Sequence, residues 1–302
     1  MQTVTKDMSK NIFVIPGMPR TGSTFLYHTF QQHPFIFVPY RKETNYFCTL
    51  FEKGTDWYLH EFYQGMRNQQ VGVDISPAYF LHPDSISRIK KFNPNIKIIL
   101  GIRLPSDWIL SEYSQILSFE WKPPSFQVFI EKGAWIKIFG GKRIYVDFTN
   151  EFIIRTIEKY QEAFGDNLLL YQYEFFQNDP LSVIQTIENF VGVPAYFNEN
   201  NFENTIINAG NRKNIKIIQY LLHQKGVIPV LTTLLPERVL RLARGFFDKK
   251  VGKKLEGKSK VYTPENIELA KKTLAKEDAY VTELFSKYAI QRGDGSPFGH
   301  FN

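Results

Sequence analysis

The amino-acid sequence predicts a three-layer α/β fold, in which helices cover both faces of a central parallel sheet and a helical C-terminal region follows. Strand and helix patterns alternate over about the first 190 residues, and this order is typical of a parallel sheet. Residues 96–102 form the clearest buried strand, because the run is apolar apart from Lys97. In the segment 13–26 an apolar strand breaks at Pro16 and Gly17, and a helix restarts after Gly22.

The remaining elements follow from the spacing of apolar residues and from residues that end helices. The first helix ends at His33 and Pro34, and Gly192 closes the helix over 180–191. The segment 140–143 is predicted as a loop near the ligand-binding edge. The predicted strands are 13–15, 35–38, 71–75, 96–102 and 167–171. The predicted helices of the α/β part are 23–32, 55–63, 83–92, 105–119, 126–132, 151–164 and 180–191.

The chain, 1–302, is predicted to be one domain that buries a single large core. A polar tail (1–10) precedes the α/β core (11–193), and a mostly helical, basic part (194–302) completes the domain. This last part has predicted helices at 211–230, at 236–250 and from 264 to about 288. Its basic faces suit a membrane or nucleic acid, but a face of this kind is more often solvated and packed on a core.

The composition is that of a globular protein, with 43% hydrophobic and 16% aromatic residues. The excess of 37 Lys and Arg over 30 Asp and Glu gives a net charge of +7, which suits an anionic ligand without identifying one. Cys48 is the single cysteine, which excludes an intramolecular disulfide and predicts a reducing compartment. The sequence shows neither a signal-peptide core nor an apolar run of about 20 residues. We therefore expect a soluble, cytoplasmic protein.

The strand–loop–helix segment predicts a phosphate cradle. Gly17 and Gly22 let the backbone approach a ligand, and the amides at the start of the helix point at an anion. The spacing is P-loop-like, but Ser23 and Thr24 follow Gly22 where a nucleotide-hydrolysing P-loop has Lys, and the cation, Arg20, lies inside the loop. This displacement argues against an ordinary ATPase or kinase. The alternative is a glycine-rich turn that binds nothing.

A second anion pocket is predicted where residues 96–102 end. Arg103 follows that strand, at the edge where open parallel sheets bind ligands, and Ser111 lies in the second turn of the next helix. Ser111 alone is an ordinary solvated helix position. Together, a cation at the end of a strand and a hydroxyl on the next helix indicate an anion site.

Glu43 stands beside Arg41 and Lys42, just before a run of aromatic residues. A carboxylate here either complements the dipole at a helix N-terminus or serves in the chemistry of the cradle. The residues by themselves favour the first interpretation.

In these residues the chain resembles the sulfotransferases that use 3′-phosphoadenosine 5′-phosphosulfate (PAPS), and it is most similar to the heparan-sulfate and tyrosylprotein branches of that family. Residues 19–24 are similar to the family's 5′-phosphosulfate loop, and residues 102–115 to its 3′-phosphate motif. The run 43–47 looks like the stretch that carries the family's catalytic carboxylate. The resemblance implies a bacterial-type soluble enzyme of P-loop-like fold that needs no metal.

The resemblance also implies roles for particular residues. It assigns Glu43 as the general base and Arg20 as both a catalytic and a donor-binding residue. Several family members have Lys where this chain has Ile75, so a role of that Lys does not carry over. The implied PAPS-binding residues are Arg20, Thr21, Gly22, Ser23, Thr24, Arg103, Ser111 and, in a basic loop at 257–260, Lys258.

The implied reaction moves a sulfuryl group in line from PAPS to an acceptor hydroxyl and releases 3′-phosphoadenosine 5′-phosphate (PAP). The acceptor stays open among a carbohydrate, a lipid head group, a peptide and a small natural product. One alternative is a P-loop kinase, in which Asp74 would bind Mg²⁺; another is a non-catalytic nucleotide- or nucleic-acid-binding module. If Glu43 is not the base, the candidates are Asp74, His28, His33 and His82.

Overall fold

The computed structural model describes residues 11–67, 70–119, 123–137, 143–148, 150–202, 261–292 and 298–300. Its strands are β1 (Ile12–Ile15), β2 (Ile36–Phe37), β3 (Val71–Ile75), β4 (Ile98–Ile102), β5 (Ala134–Lys137), β6 (Arg143–Val146), β7 (Leu168–Gln172) and β8 (Phe298–His300). Its α-helices are α1 (Ser23–Phe30), α2 (Tyr46–Thr49), α3 (Thr55–Tyr63), α4 (Ala78–Leu81), α5 (Ser85–Phe92), α6 (Pro105–Phe119), α7 (Phe126–Lys132), α8 (Phe152–Phe164), α9 (Tyr173–Asn178), α10 (Pro180–Val191), α11 (Pro264–Thr273) and α12 (Ala275–Arg292). Within these ranges, none of the helices has the length and apolarity needed to cross a membrane.

The main sheet has the strand order β2-β3-β1-β4-β7-β8. The first five strands in this order run parallel, and β8 pairs antiparallel with β7 at one edge. The central strands β1 and β4 are buried along their whole length. The predicted parallel sheet is confirmed, and β8 adds an antiparallel edge strand that the sequence pattern does not indicate.

Helices cover both faces of the sheet, because successive side chains of a strand point to opposite faces. On one face, Val14 joins a buried apolar cluster with Trp108 of α6 and Ile157 of α8. On the other face, Phe13 joins a second cluster with Leu26 of α1 and Ile184 of α10. The three-layer arrangement predicted from the sequence is therefore confirmed.

The prediction of a single last helix from 264 to about 288 is wrong, because this segment forms two helices, α11 and α12. Leu274 separates α11 from α12 with φ −105° and ψ 21°, outside helical geometry. Its side chain is fully buried, and the following helix is held to α6 by a bond from the Ser106 amide to Asp278 Oδ1 (2.9 Å). The apolar spacing continues across the break, so periodicity alone does not reveal it.

The predicted loop at 140–143 is also corrected at its last residue. Arg143 belongs to β6, which pairs antiparallel with β5 in a separate two-stranded sheet, with Lys137 opposite Arg143. Each strand is four residues long, too short for a local pattern to show without its partner. Residues 140–142, the predicted helices 211–230 and 236–250, and the basic residues Arg238, Arg241, Arg244 and Lys258 lie outside the described residues. The single-domain organisation stays a prediction.

Candidate active site

The carboxyl ends of four parallel strands bring the predicted site residues to one edge of the sheet. β3, β1, β4 and β7 are consecutive neighbours, so the segments that follow them lie side by side. The amide of Met18 donates to the Gly101 carbonyl oxygen (3.1 Å), which ties the loop after β1 to β4. On the other side of β1, the amide of Glu43 donates to the Ile75 carbonyl oxygen at the end of β3 (3.1 Å).

The loop between β1 and α1 has the backbone of a cradle. Gly17 and Gly22 have φ values of 94° and 91°, a left-handed region that favours glycine. A Cβ on Gly17 would lie 2.9 Å from the Cα of Pro77, and one on Gly22 would collide with the ring of Phe176. Both positions therefore require glycine for space as well as for conformation.

Thr21 holds the cradle together from inside. Its side chain is buried, and its hydroxyl donates to the Met18 carbonyl oxygen (2.6 Å). The Thr21 carbonyl oxygen accepts a bond from the Tyr171 hydroxyl of β7 (2.7 Å). The hydroxyl of this predicted donor-binding residue is therefore bonded within the loop, which leaves the backbone amide as the part of Thr21 suited to an anion.

The first turn of α1 begins directly at the cradle. Gly22 is its N-cap, and among the described residues no side chain caps this eight-residue helix. Ser23 is buried and Thr24 is half-buried. Amides at such a helix start, together with its dipole, attract an anion.

Arg20 joins the two predicted anion motifs. Its Nε donates a hydrogen bond to Ser111 Oγ of α6 (3.2 Å). Arg20 is exposed and adopts φ 66°, an uncommon backbone conformation for a residue other than glycine. The structure thus places the cation of the loop after β1 in direct contact with the hydroxyl of the motif after β4.

Arg103 lies at the end of β4, with its guanidinium 5.1 Å from the centre of the Tyr173 ring on α9. Its Nε is buried and has no hydrogen-bond partner among the described residues. Next to it, the Leu104 amide donates to Glu174 Oε1 (3.1 Å). No sequence pattern pointed to Tyr173 or Glu174, although both follow β7 at the same edge as Arg103.

Glu43 lies on the loop after β2 and is accessible at this edge. Its side chain is 44% exposed, and its Oε1 forms an ion pair with Lys42 Nζ (2.7 Å). Glu43 precedes α2 by three residues, and α2 has only four residues. A helix this short has little dipole, so complementing it explains little about Glu43.

Asp74, which would bind Mg²⁺ in the kinase alternative, accepts hydrogen bonds from side chains of the protein instead. Its side chain is fully buried. Its carboxylate accepts four hydroxyl bonds of 2.6 to 2.8 Å, from Thr44, Tyr58, Ser76 and Tyr79. Burial raises the pKa of Asp74, and the four hydroxyl bonds oppose that rise. The hypothesis that Asp74 binds Mg²⁺ or acts as the base loses its basis.

Glu112 is a site residue that sequence analysis missed. It follows Ser111 on α6, is 3% exposed, and its Oε2 has no hydrogen-bond partner in the described part of the chain. Burial raises the pKa of Glu112 to about 7; the charge of Arg20 opposes the rise and that of Glu43 adds to it. The sequence signal is its spacing of four residues from both Trp108 and Ile116, on the apolar face of the helix.

The histidines named as reserve bases have other contacts. His33 is buried, with its Nε2 3.2 Å from Glu188 Oε1, and burial lowers the pKa of His33 to about 4. His28 pairs with Gln31 on the exposed end of α1. His82 accepts a bond from the Asp84 amide.

Comparison with known proteins identifies the family. A model described as the sulfotransferase domain matches residues 10–219. The chain belongs to this family. The resemblance stated from the motifs around Arg20 and Arg103 is thereby confirmed.

The relatives differ in what they share with this chain. The membrane-associated sulfotransferase kil1 of Dictyostelium discoideum is 31% identical over 162 residues, which cover 50% of this chain and 31% of that protein. Heparan sulfate glucosamine 3-O-sulfotransferase 5 of Mus musculus is 25% identical over 200 residues, covering 62% of this chain and 55% of that protein. A sulfotransferase of known structure from Alicyclobacillus acidocaldarius has a TM-score of 0.49 and 21% identity, covering 65% of this chain and 86% of that one. The chain thus spans between about a third and about half of the two curated relatives.

Proposed function

We propose that this protein is a PAPS-dependent sulfotransferase that transfers a sulfuryl group in line to an acceptor hydroxyl, with Glu43 as the general base. The observation that carries the proposal is the 3.2 Å bond from Arg20 Nε to Ser111 Oγ. It joins a cradle suited to a 5′-phosphosulfate to a pocket suited to a 3′-phosphate. ATP has no 3′-phosphate and would leave the second pocket empty.

The donor-binding residues divide between its two anionic ends. Arg20 and the amides of residues 22–24 would hold the 5′-phosphosulfate, because a helix start and a forked guanidinium both suit such oxygens. Arg103 and Ser111 would hold the 3′-phosphate. The Nε of Arg103 supports this assignment, because it is buried without a hydrogen-bond partner among the residues that the structure describes, and a buried guanidinium N–H without an acceptor is costly.

The chemical step needs a base, an in-line arrangement and a stabilised leaving group. Glu43 takes the proton of the acceptor hydroxyl as the acceptor oxygen bonds to sulfur. The bond between sulfur and the bridging phosphate oxygen breaks, and PAP leaves with the electron pair. Arg20 and the loop amides stabilise the charge that develops on that oxygen.

A carbohydrate hydroxyl is the acceptor that we propose first. The relative from Mus musculus is named for a glucosamine of heparan sulfate, and the loop before Glu43 offers a suitable surface. Tyr40 is 37% exposed and stacks on Phe62, and the guanidinium of Arg41 lies 5.1 Å from the Phe62 ring centre. An exposed aromatic face beside cations suits a sugar that carries anionic groups. Lipid head groups, peptides and phenols complete the panel of acceptors to be tested.

The role of Lys258 in binding PAPS and the cytoplasmic location of the protein stay predictions.

The test combines binding with transfer. Thermal unfolding is measured with PAP, with ATP and Mg²⁺, and with NAD, followed by transfer of labelled sulfate from PAPS to the acceptor panel. We expect PAP to stabilise the protein most and at least one hydroxyl acceptor to become labelled. Equal stabilisation by ATP and Mg²⁺ would favour the kinase alternative, and binding of PAP without transfer to any acceptor would favour the non-catalytic module.

A further inference from the structure

The loop that carries Glu43 has an unfavourable backbone conformation. Glu43 and Asn45 have φ values of 65° and 55°, on either side of Thr44. The left-handed region is uncommon for residues other than glycine, although asparagine tolerates it better than glutamate does, and such a conformation persists only where its surroundings hold it in place. Specific contacts must therefore fix this loop.

Two hydrogen-bonded arms run from Asp74 to the loop. In the first arm, the Thr44 hydroxyl donates to Asp74 Oδ2 (2.6 Å). In the second arm, the Ser76 hydroxyl donates to Asp74 Oδ1 (2.6 Å) and accepts a bond from the Asn45 amide (3.2 Å). Both oxygens of one buried carboxylate are thus connected to the residues that follow Glu43.

We propose that Asp74 is a positioning residue for Glu43, acting through Thr44 and Ser76. It holds the loop in the one conformation that presents the Glu43 carboxylate at the edge of the sheet. The inference rests on the proposed role of Glu43 as the base. Among the described residues, no hydrogen bond joins Asp74 to Arg20, Arg103 or Ser111, so loss of Asp74 should impair turnover while nucleotide binding persists.

The chemistry of the site explains why this residue is a carboxylate. Four hydroxyl groups donate to Asp74, and an ionised carboxylate is an acceptor at both oxygens. Asparagine at this position would replace one of the two acceptor oxygens with an NH₂ group, so the hydroxyl groups on that side could no longer donate to it. The network therefore selects aspartate over its neutral isostere.

Tyr58 provides the matched control, because its hydroxyl donates to the same Asp74 Oδ2 (2.8 Å) but belongs to α3 rather than to the loop. If Asp74 merely stabilises the core, Tyr58→Phe and Thr44→Val should have similar effects. If Asp74 positions Glu43, only Thr44→Val should slow turnover. Ser76→Ala interrupts the second arm and repeats the test should Thr44→Val fail to fold.

The experiment measures kcat with the best acceptor of the panel and PAP affinity by calorimetry. We expect Thr44→Val to lower kcat about tenfold or more, the scale on which a misplaced catalytic group acts, with PAP affinity unchanged. Thr44→Ser, which keeps the hydroxyl, should restore kcat, and Tyr58→Phe should leave it near wild type. A Thr44→Val enzyme as fast as Tyr58→Phe would overturn the inference.

A double variant separates this inference from the proposed function. If Thr44 acts through Glu43, Thr44→Val should add no further loss of kcat in a Glu43→Gln background, because groups that act as one unit are not additive. Additive losses would overturn the positioning role and leave Glu43 as the base. A fully active Glu43→Gln enzyme would overturn both.

Discussion

The Nε of Arg20 and the Oγ of Ser111 lie 3.2 Å apart, although 91 positions separate the two residues in the chain. Arg20 lies on the loop after β1 and Ser111 on α6, the helix that follows β4, and β1 and β4 are neighbours in the sheet. The contact brings the two predicted anion motifs together at one edge of the sheet, as the proposed PAPS site requires.

The first prediction concerns ligand preference. PAP at 100 times its dissociation constant should raise the free energy of unfolding by about 2.7 kcal/mol. ATP with Mg²⁺ at the same concentration should raise it less, because nothing in ATP reaches Arg103 and Ser111 as a 3′-phosphate would. Thermal unfolding with each ligand provides the measurement, and a larger shift with ATP would contradict this assignment.

The second prediction is that Arg103→Ala weakens PAP binding by one to two decades. The variant removes a charge-assisted hydrogen bond worth about 1.5–3 kcal/mol, and roughly 1.4 kcal/mol corresponds to one decade. Arg155→Ala is the control, because Arg155 is exposed on α8. Calorimetry that finds a folded Arg103→Ala protein with wild-type affinity would remove Arg103 from the site.

The third prediction is that Glu43→Gln lowers kcat by roughly 10²-fold or more, the contribution typical of a general base. PAP affinity should stay the same or rise slightly, since a negative charge near the phosphosulfate is lost. Glu52→Gln, at an exposed position after α2, is the matched control. Near-normal transfer by Glu43→Gln would send the search for the base back to His28 and His82, since His33 is buried against Glu188.

The fourth prediction concerns pH and Glu112. Its pKa in the folded protein is about 7, against an ordinary value of 4.5, so the folded state binds the proton more tightly than the unfolded state. The free energy of unfolding therefore falls as pH rises from about 4.5, and the loss is complete above about 7. The cost amounts to about 3 kcal/mol, at 1.36 kcal/mol per pH unit.

The variant Glu112→Gln isolates this contribution from that of other buried carboxyls. At pH 4 the variant and the wild type should unfold at similar denaturant concentrations, because Glu112 of the wild type is then largely protonated in both the folded and the unfolded state. At pH 8 the variant should be the more stable. Parallel stability curves for the two proteins across this range would show that Glu112 does not titrate as expected, and Glu52→Gln again serves as the control.

Local patterns in the sequence determined most of the α/β fold. Apolar runs such as 96–102 and 167–171 predicted β4 and β7, and their alternation with helices predicted the parallel sheet. The cradle was also predictable, because an apolar strand, two glycines and the start of a helix follow one another within residues 13–26. These properties depend on neighbours along the chain, which a sequence displays directly.

Tertiary structure alone decided which of the polar residues share a site. The bond between Arg20 and Ser111 depends on β1 and β4 being neighbours, and the hairpin of β5 and β6 depends on two short strands finding each other. The sequence alone does not distinguish the environments of the two acidic residues Asp74 and Glu112. In the fold, four hydroxyl groups satisfy Asp74, whereas one oxygen of Glu112 has no partner in the part of the chain that the structure describes. The physical reason is that the charge and role of a carboxyl group depend on the water it loses and the donors it gains, and both are set by residues distant in the chain.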